Sequence, residues 1–153
     1  AAGLGSEAVI HALIEAAFVQ VLRHIVEGAG QRPLSLAAAL RTSGIREALE
    51  AMHAHPAGDW SLEGLAEVAG LSRSAFAAKF KALLGEGPLG YLRQLRVQRA
   101  MGLLARQGAS IVAVADAVGY ADPFVFSKAF KKVTGVSPRQ FRASATMDLQ
   151  AAS

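Results

Sequence analysis

The sequence predicts an all-α chain in which one two-helix unit occurs twice, and three observations carry that expectation. Ala and Leu dominate the composition, strand-forming residues are sparse, and no stretch alternates apolar with polar residues. At 153 residues with 52% apolar content the chain can bury a sizeable core, which excludes the disordered class. There is no cysteine, so disulfide frameworks, thiol chemistry and cysteine-held zinc are excluded together. No stretch of about 18 residues lacks charged and polar side chains, so no membrane span is expected. The chain opens on Ala1 and carries no secretory apolar region, as expected of a piece of a longer cytoplasmic protein.

The first element is a helix expected over residues 6–28. Val9, Ile10, Leu13, Ile14, Ala17, Phe18, Val21, Leu22, Ile25 and Val26 recur at helical spacing, a stripe too broad for a free helix. It reads as a homodimer contact, with packing inside the chain as the alternative. A break over Gly28–Pro33, a short helix over Ser35–Leu40 and another over Ile45–Ala54 follow. His55-Pro56-Ala57-Gly58 then separates this helical segment, residues 1–56, from a second domain over residues 57–143 and a tail over 144–153.

The second domain contains the repeat. Ser61-Leu62-Glu63-Gly64-Leu65-Ala66-Glu67-Val68-Ala69-Gly70 lies beside Ser110-Ile111-Val112-Ala113-Val114-Ala115-Asp116-Ala117-Val118-Gly119 at an offset of 49. Past the glycines the offset becomes 50, pairing Phe76 with Phe126, Phe80 with Phe130, Lys81 with Lys131, Pro88 with Pro138 and Tyr91 with Phe141. One residue has entered the turn. Ser61 and Ser110 are N-cap residues. Leu62, Leu65 and Ala69, like Ile111, Val114 and Val118, form the inward face of a short helix, while Ala66 and Ala115 leave room for a second helix to cross closely. Gly70 and Gly119 end the first helices. The second helices open at Ser72 and at Asp122-Pro123 and close at Gly85 and Gly135. Two tandem helix-turn-helix units are therefore expected, over about 61–84 and 110–133, joined by a long linker helix over about 88–106.

Charge is distributed unevenly. Residues 1–58 hold four arginines against five glutamates, whereas residues 73–142 hold twelve lysines and arginines against three acids. Such asymmetry is the footprint of a surface that meets a polyanion, with a solvated basic face as the alternative.

Residues 57–143 resemble the C-terminal DNA-binding domain of the AraC/XylS family of bacterial transcription activators. The stretch that carries the resemblance most specifically is Gly119-Tyr120, Phe126-Ser127-Lys128-Ala129-Phe130-Lys131 and Gly135-Val136-Ser137-Pro138-Arg139-Gln140-Phe141-Arg142. The resemblance implies two helix-turn-helix subdomains, each presenting one helix to the major groove of double-stranded DNA, and RNA polymerase as a further partner. Nineteen residues of linker helix span roughly 28 Å at about 1.5 Å each, compatible with the roughly 34 Å between successive major grooves on one face. Residues 1–56 resemble the helical end of a cupin-type regulatory domain, where such helices support dimerisation.

Helical phase separates core from surface on the two recognition helices. Phe76, Phe80 and Leu83, like Phe126, Phe130 and Val133, share the inward face. By position and by family likeness, Arg73, Ser74, Ala77 and Ala78, then Pro123, Phe124, Ser127 and Lys128, are assigned to the groove. Lys81, Lys131 and Lys132 are assigned to phosphates. Ser74, Ala77 and Ala78 are too short for bidentate base contacts, which leaves thymine methyls, shape and Arg73 to the first unit. Lys128 is placed for guanine, with phosphate as the alternative; Phe124 is placed for a thymine contact, with packing beside Pro123 as the alternative. Arg93, Arg96, Arg99, Arg139 and Arg142 each read as a phosphate contact or as part of a solvated face.

An enzyme is not expected. His11 and His24 are thirteen residues apart, and His53 and His55, two apart, point to different faces, so no metal site is expected. No nucleophile elbow, phosphate loop or paired-carboxylate constellation occurs, and no cofactor is implied. The competing class is a helical protein-interaction module without DNA binding.

Overall fold

The computed structural model describes residues 10–17, 38–106 and 108–151. All its regular elements there are helical: α1 (Ile45–Ala54), α2 (Leu62–Ala69), α3 (Arg73–Leu84), α4 (Pro88–Leu104), α5 (Ile111–Ala117), α6 (Pro123–Thr134) and α7 (Pro138–Ala151). Residues 10–17 and 38–41 are also helical. Phe18, Val21, Leu22, Ile25 and Val26 of the expected first helix, and the break at Gly28–Pro33, lie outside the described residues. Within 10–17, Leu13 is buried whereas Ile10 and Ile14 are exposed.

The chain divides into two compact units, one of residues 1–55 and 60–91, the other of residues 56–59 and 92–153. In the first, α1 packs on α2 and α3. Its Ile45, Ala48, Leu49 and Met52 recur at three- and four-residue steps and are all buried, so α1 shares the core of the helices that follow it. Behind it, His53 Nε2 and the Tyr91 hydroxyl make a buried hydrogen bond of 2.7 Å, and burial pushes the Tyr91 phenol up from its ordinary value. The second unit is built on Val97, Ala100 and Leu104 of α4, Val114, Ala115 and Val118 at α5, and Phe126 and Phe130 of α6, all buried together.

The two helix-turn-helix units are stapled by matching contacts. Ser61 Oγ accepts from the Gly64 amide and Ser110 Oγ from the Ala113 amide, both at 3.0 Å. At the far end, the Leu71 amide donates to the Ala66 carbonyl at 3.0 Å and the Tyr120 amide to the Ala115 carbonyl at 2.9 Å. The next helices are capped by Ser72, which accepts from the Ala75 amide, and by Asp122, which accepts from the Phe124 amide. The offset of 49 thus holds through Leu71 and Tyr120 and becomes 50 at the caps, which identifies Ala121 as the inserted residue. Edge-to-face ring pairs repeat as well: Phe80–Tyr91 and Phe130–Phe141 both sit with centroids 5.6 Å apart.

Two boundaries differ from expectation in length. The linker helix α4 stops at Leu104, so its 17 residues span about 25 Å. Helix α7 opens on a capping box, Ser137 amide to Gln140 Oε1 and Gln140 amide to Ser137 Oγ, and runs through Ala151 into the expected tail. Residues 139–151 contain no glycine or proline to stop it.

Candidate nucleic-acid interface

Helices α3 and α6 owe their two-faced character to the phenylalanine pairs. Phe76 and Phe80, like Phe126 and Phe130, are fully buried, and this fixes which side of each helix meets solvent. On α3 the exposed residues include Arg73, Ser74, Ala78 and Lys81, with Ala77 half-buried. On α6 they include Phe124, Lys128, Lys131 and Lys132, with Pro123 and Ser127 half-buried. The expected inward residues Leu83 and Val133 are only half-buried, being the last turns of their helices.

Phe124 is 79% exposed, which is far from packing under the turn beside Pro123. Leaving a phenylalanine ring in water forgoes its burial, on the order of 1.5–3 kcal/mol. Val125 beside it is 52% exposed, giving the start of α6 an apolar tip ahead of its lysines. Phase reasoning singled out Phe124 and missed Val125, although Val125 is one residue from the inward Phe126 and so could have been placed at the edge of that face. Lys79 on α3 is likewise exposed and was missed.

Two arginines that could have met phosphates or solvent turn inward. Arg96 donates from Nε to the Pro56 carbonyl and from Nη2 to the Gly58 carbonyl, both at 2.7 Å, and its Cζ lies 5.4 Å from the centre of the Tyr120 ring. Arg142 donates from Nη1 to the Ala109 carbonyl at 2.7 Å. Both satisfy loop carbonyls that their own helices cannot reach. Arg99 and Arg139 remain exposed, and Arg93 is half-buried.

Arg73 has a partner. Its Nη1 donates to Glu63 Oε1 at 2.7 Å, and the guanidinium beside it holds the Glu63 carboxyl below its ordinary value. Glu63 sits in the first turn of α2, where a carboxylate also favours the helix dipole.

The arrangement is a recurrent one. Residues 65–144 match the family model described as a helix-turn-helix domain. Over 129 residues the chain is 38% identical to an AraC-like transcription regulator of Streptomyces lividans, covering 84% of this chain and 42% of that one. The chain belongs to the AraC-type helix-turn-helix family. This AraC-type chain is also 35% identical over 139 residues to the transcriptional regulator AlkR of Acinetobacter baylyi, covering 90% of the chain and 45% of the relative. It therefore spans less than half the length of these curated relatives. Among solved structures, the DNA-binding domain of the global transcriptional factor AdpA in complex with a target DNA is similar with a TM-score of 0.64 and 30% identity. That similarity covers 67% of the AraC-type chain and 93% of the AdpA domain.

Proposed function

We propose that this AraC-type chain binds double-stranded DNA sequence-specifically as part of a transcription regulator, with α3 and α6 entering successive major grooves. The observation that carries the reading is the duplicated helix-turn-helix itself. In both copies the second helix buries a phenylalanine pair, Phe76 and Phe80 or Phe126 and Phe130, and leaves an outer face that includes lysine exposed. The solved AdpA domain, similar in fold and bound to DNA, supports it.

Within that reading the residues divide by chemistry. Phe124, with Val125, offers apolar contact to a thymine methyl, and Lys128 offers donors to guanine O6 and N7. Ser127 lies between them. Lys81, Lys131 and Lys132, further along their helices, neutralise phosphates, a contribution that sets affinity and its salt dependence without reading sequence. In the first unit Ser74, Ala77 and Ala78 suit close approach to thymine methyls and groove shape, and Arg73 is the long donor. Residues 1–56 are read as the helical end of a cupin-type regulatory and dimerisation domain. The exposed Ile10 and Ile14 support a homodimer contact there. Activation through RNA polymerase and a cytoplasmic location complete the proposal, in keeping with the relatives' names as transcription regulators.

Selection of bound sequences from random duplex DNA tests it. Two short blocks about one helical turn apart are expected, with affinity falling steeply as salt rises. A chain that shows no salt-dependent binding to DNA would point instead to the protein-interaction module.

A further inference from the structure

Glu63 and Arg73 form a pair that only one copy of the repeat possesses. The guanidinium and the carboxylate meet at 2.7 Å across the turn between α2 and α3, with side chains 64% and 65% exposed. An ion pair so open to water adds little to stability. The second copy shows that the scaffold does not need it. Its matching positions are Val112 and Pro123, which cannot pair, yet α5 and α6 keep the same serine cap, the same turn bond and the same buried phenylalanines.

The pair is therefore available for a role outside folding. Arg73 is the first residue of α3, at the end that a groove helix turns toward base edges. Its neighbours on the outward face, Ser74, Ala77 and Ala78, cannot form bidentate base contacts. A carboxylate near a DNA surface repels phosphates, so Glu63 alone would weaken binding. Paired, it restricts the long arginine before docking and removes part of the conformational entropy that docking would otherwise cost. The bond engages Nη1 only, and a guanidinium has five N–H donors, so donors remain for an acceptor pair such as guanine O6 and N7.

We infer that Glu63 is a positioning residue: it touches no base, but holds Arg73 for a guanine contact in the block read by the first unit. The inference rests on the reading of α3 as a groove helix. Its test measures binding of the whole chain to the selected duplex and to duplexes with each base pair replaced in turn. The proteins compared are wild type, Glu63→Gln, Arg73→Ala and the double variant.

Glu63→Gln is expected to lower discrimination at one base pair of the first block by about fivefold, the lower end of what a bidentate guanine contact supplies. Arg73→Ala should lose preference at the same base pair, and the double variant should lose no more than Arg73→Ala. Discrimination in the second block should stay unchanged in all three, while Glu63→Gln binds non-specific DNA at least as tightly as wild type. Unchanged or stronger discrimination in Glu63→Gln overturns the inference, since Glu63 would then merely occupy Arg73. So does an Arg73→Ala variant that keeps the first block intact. A wild type that selects no sequence overturns the DNA-binding reading along with it.

Discussion

Gly70 and Gly119 hold the same place in the two copies, each just past the first helix of its unit at a positive φ of 67° and 95°. Their surroundings differ. A Cβ on Gly70 would meet nothing within 4 Å, whereas one on Gly119 would lie 2.9 Å from Ala57 Cα, 3.0 Å from the Ala57 carbonyl oxygen and 3.1 Å from Arg96 Cζ. Those neighbours have little room to give, because Arg96 is bonded to the Pro56 and Gly58 carbonyls on both sides of Ala57. Alanine at either position costs about 1–2 kcal/mol for its left-handed backbone, offset by about 0.4–1 kcal/mol from a stiffer unfolded chain. Gly70→Ala should therefore cost on the order of 1 kcal/mol. Gly119→Ala adds forced displacement of packed atoms, about 1–3 kcal/mol, for a total of roughly 2–4 kcal/mol. Urea unfolding of the two variants under one set of conditions gives the comparison as a midpoint difference. Thermal scans should agree at about 2–4 °C per kcal/mol for a chain of this size. Equal losses, or a larger loss at Gly70, would show that the close approach around Gly119 carries no penalty and would refute the reasoning.

Three further outcomes are expected. Lys128→Ala should relax preference at one base pair by about 1–3 kcal/mol, while Lys131→Ala weakens binding to all sequences and lowers the salt slope by about 1; uniform loss in both reassigns Lys128 to phosphate. Arg96→Lys keeps the charge but not the fork that reaches two carbonyls, so it should lower stability by about 2 kcal/mol and leave the salt slope of DNA binding unchanged. A lowered slope would restore Arg96 as a phosphate contact. Glu63, titrated by NMR, should show a carboxyl below its ordinary value that moves back up in Arg73→Ala. The sign follows from that depression: whatever the pair contributes is present above the unfolded-state pKa and fades as pH falls through the lower folded value. An identical titration in wild type and Arg73→Ala would remove the pair from solution.

What the sequence made legible was whatever is decided locally. Caps at Ser61, Ser72, Ser110 and Asp122 act on amides two or three residues away, so residue type and spacing sufficed to find them. The buried phenylalanines followed from helical phase for the same reason. The fates of Arg96 and Arg142 were not legible. Their acceptors are backbone carbonyls 33 to 40 residues distant, and a carbonyl carries no residue identity for a pattern to reveal. The His53–Tyr91 bond, across 38 residues, was hidden in the same way, and so was the packing of α1 on α2 and α3. Glu63 and Arg73 are ten residues apart on different helices, beyond the three- and four-residue steps that charge patterning can read.

Where the two copies agree and where they part also separates folding from recognition. The positions that match in chemistry are buried or capping: Ala66 with Ala115, Phe76 with Phe126, Phe80 with Phe130, and Ser61 with Ser110. Packing leaves these little choice, because a changed volume or a lost cap costs on the order of 1 kcal/mol or more. The positions that differ are largely on the surface: Glu63 against Val112, Arg73 against Pro123, Ser74 against Phe124, and Ala78 against Lys128. Apart from Pro123, which suits the first position of its helix, packing fixes none of these side chains, so they are open to selection by what they meet. A single uniform polyanion contact would suit lysine in both copies, as Lys81 and Lys131 do. On the proposed function, an apolar ring beside a lysine in one copy, and an arginine paired with a glutamate above small residues in the other, would meet two different base sequences.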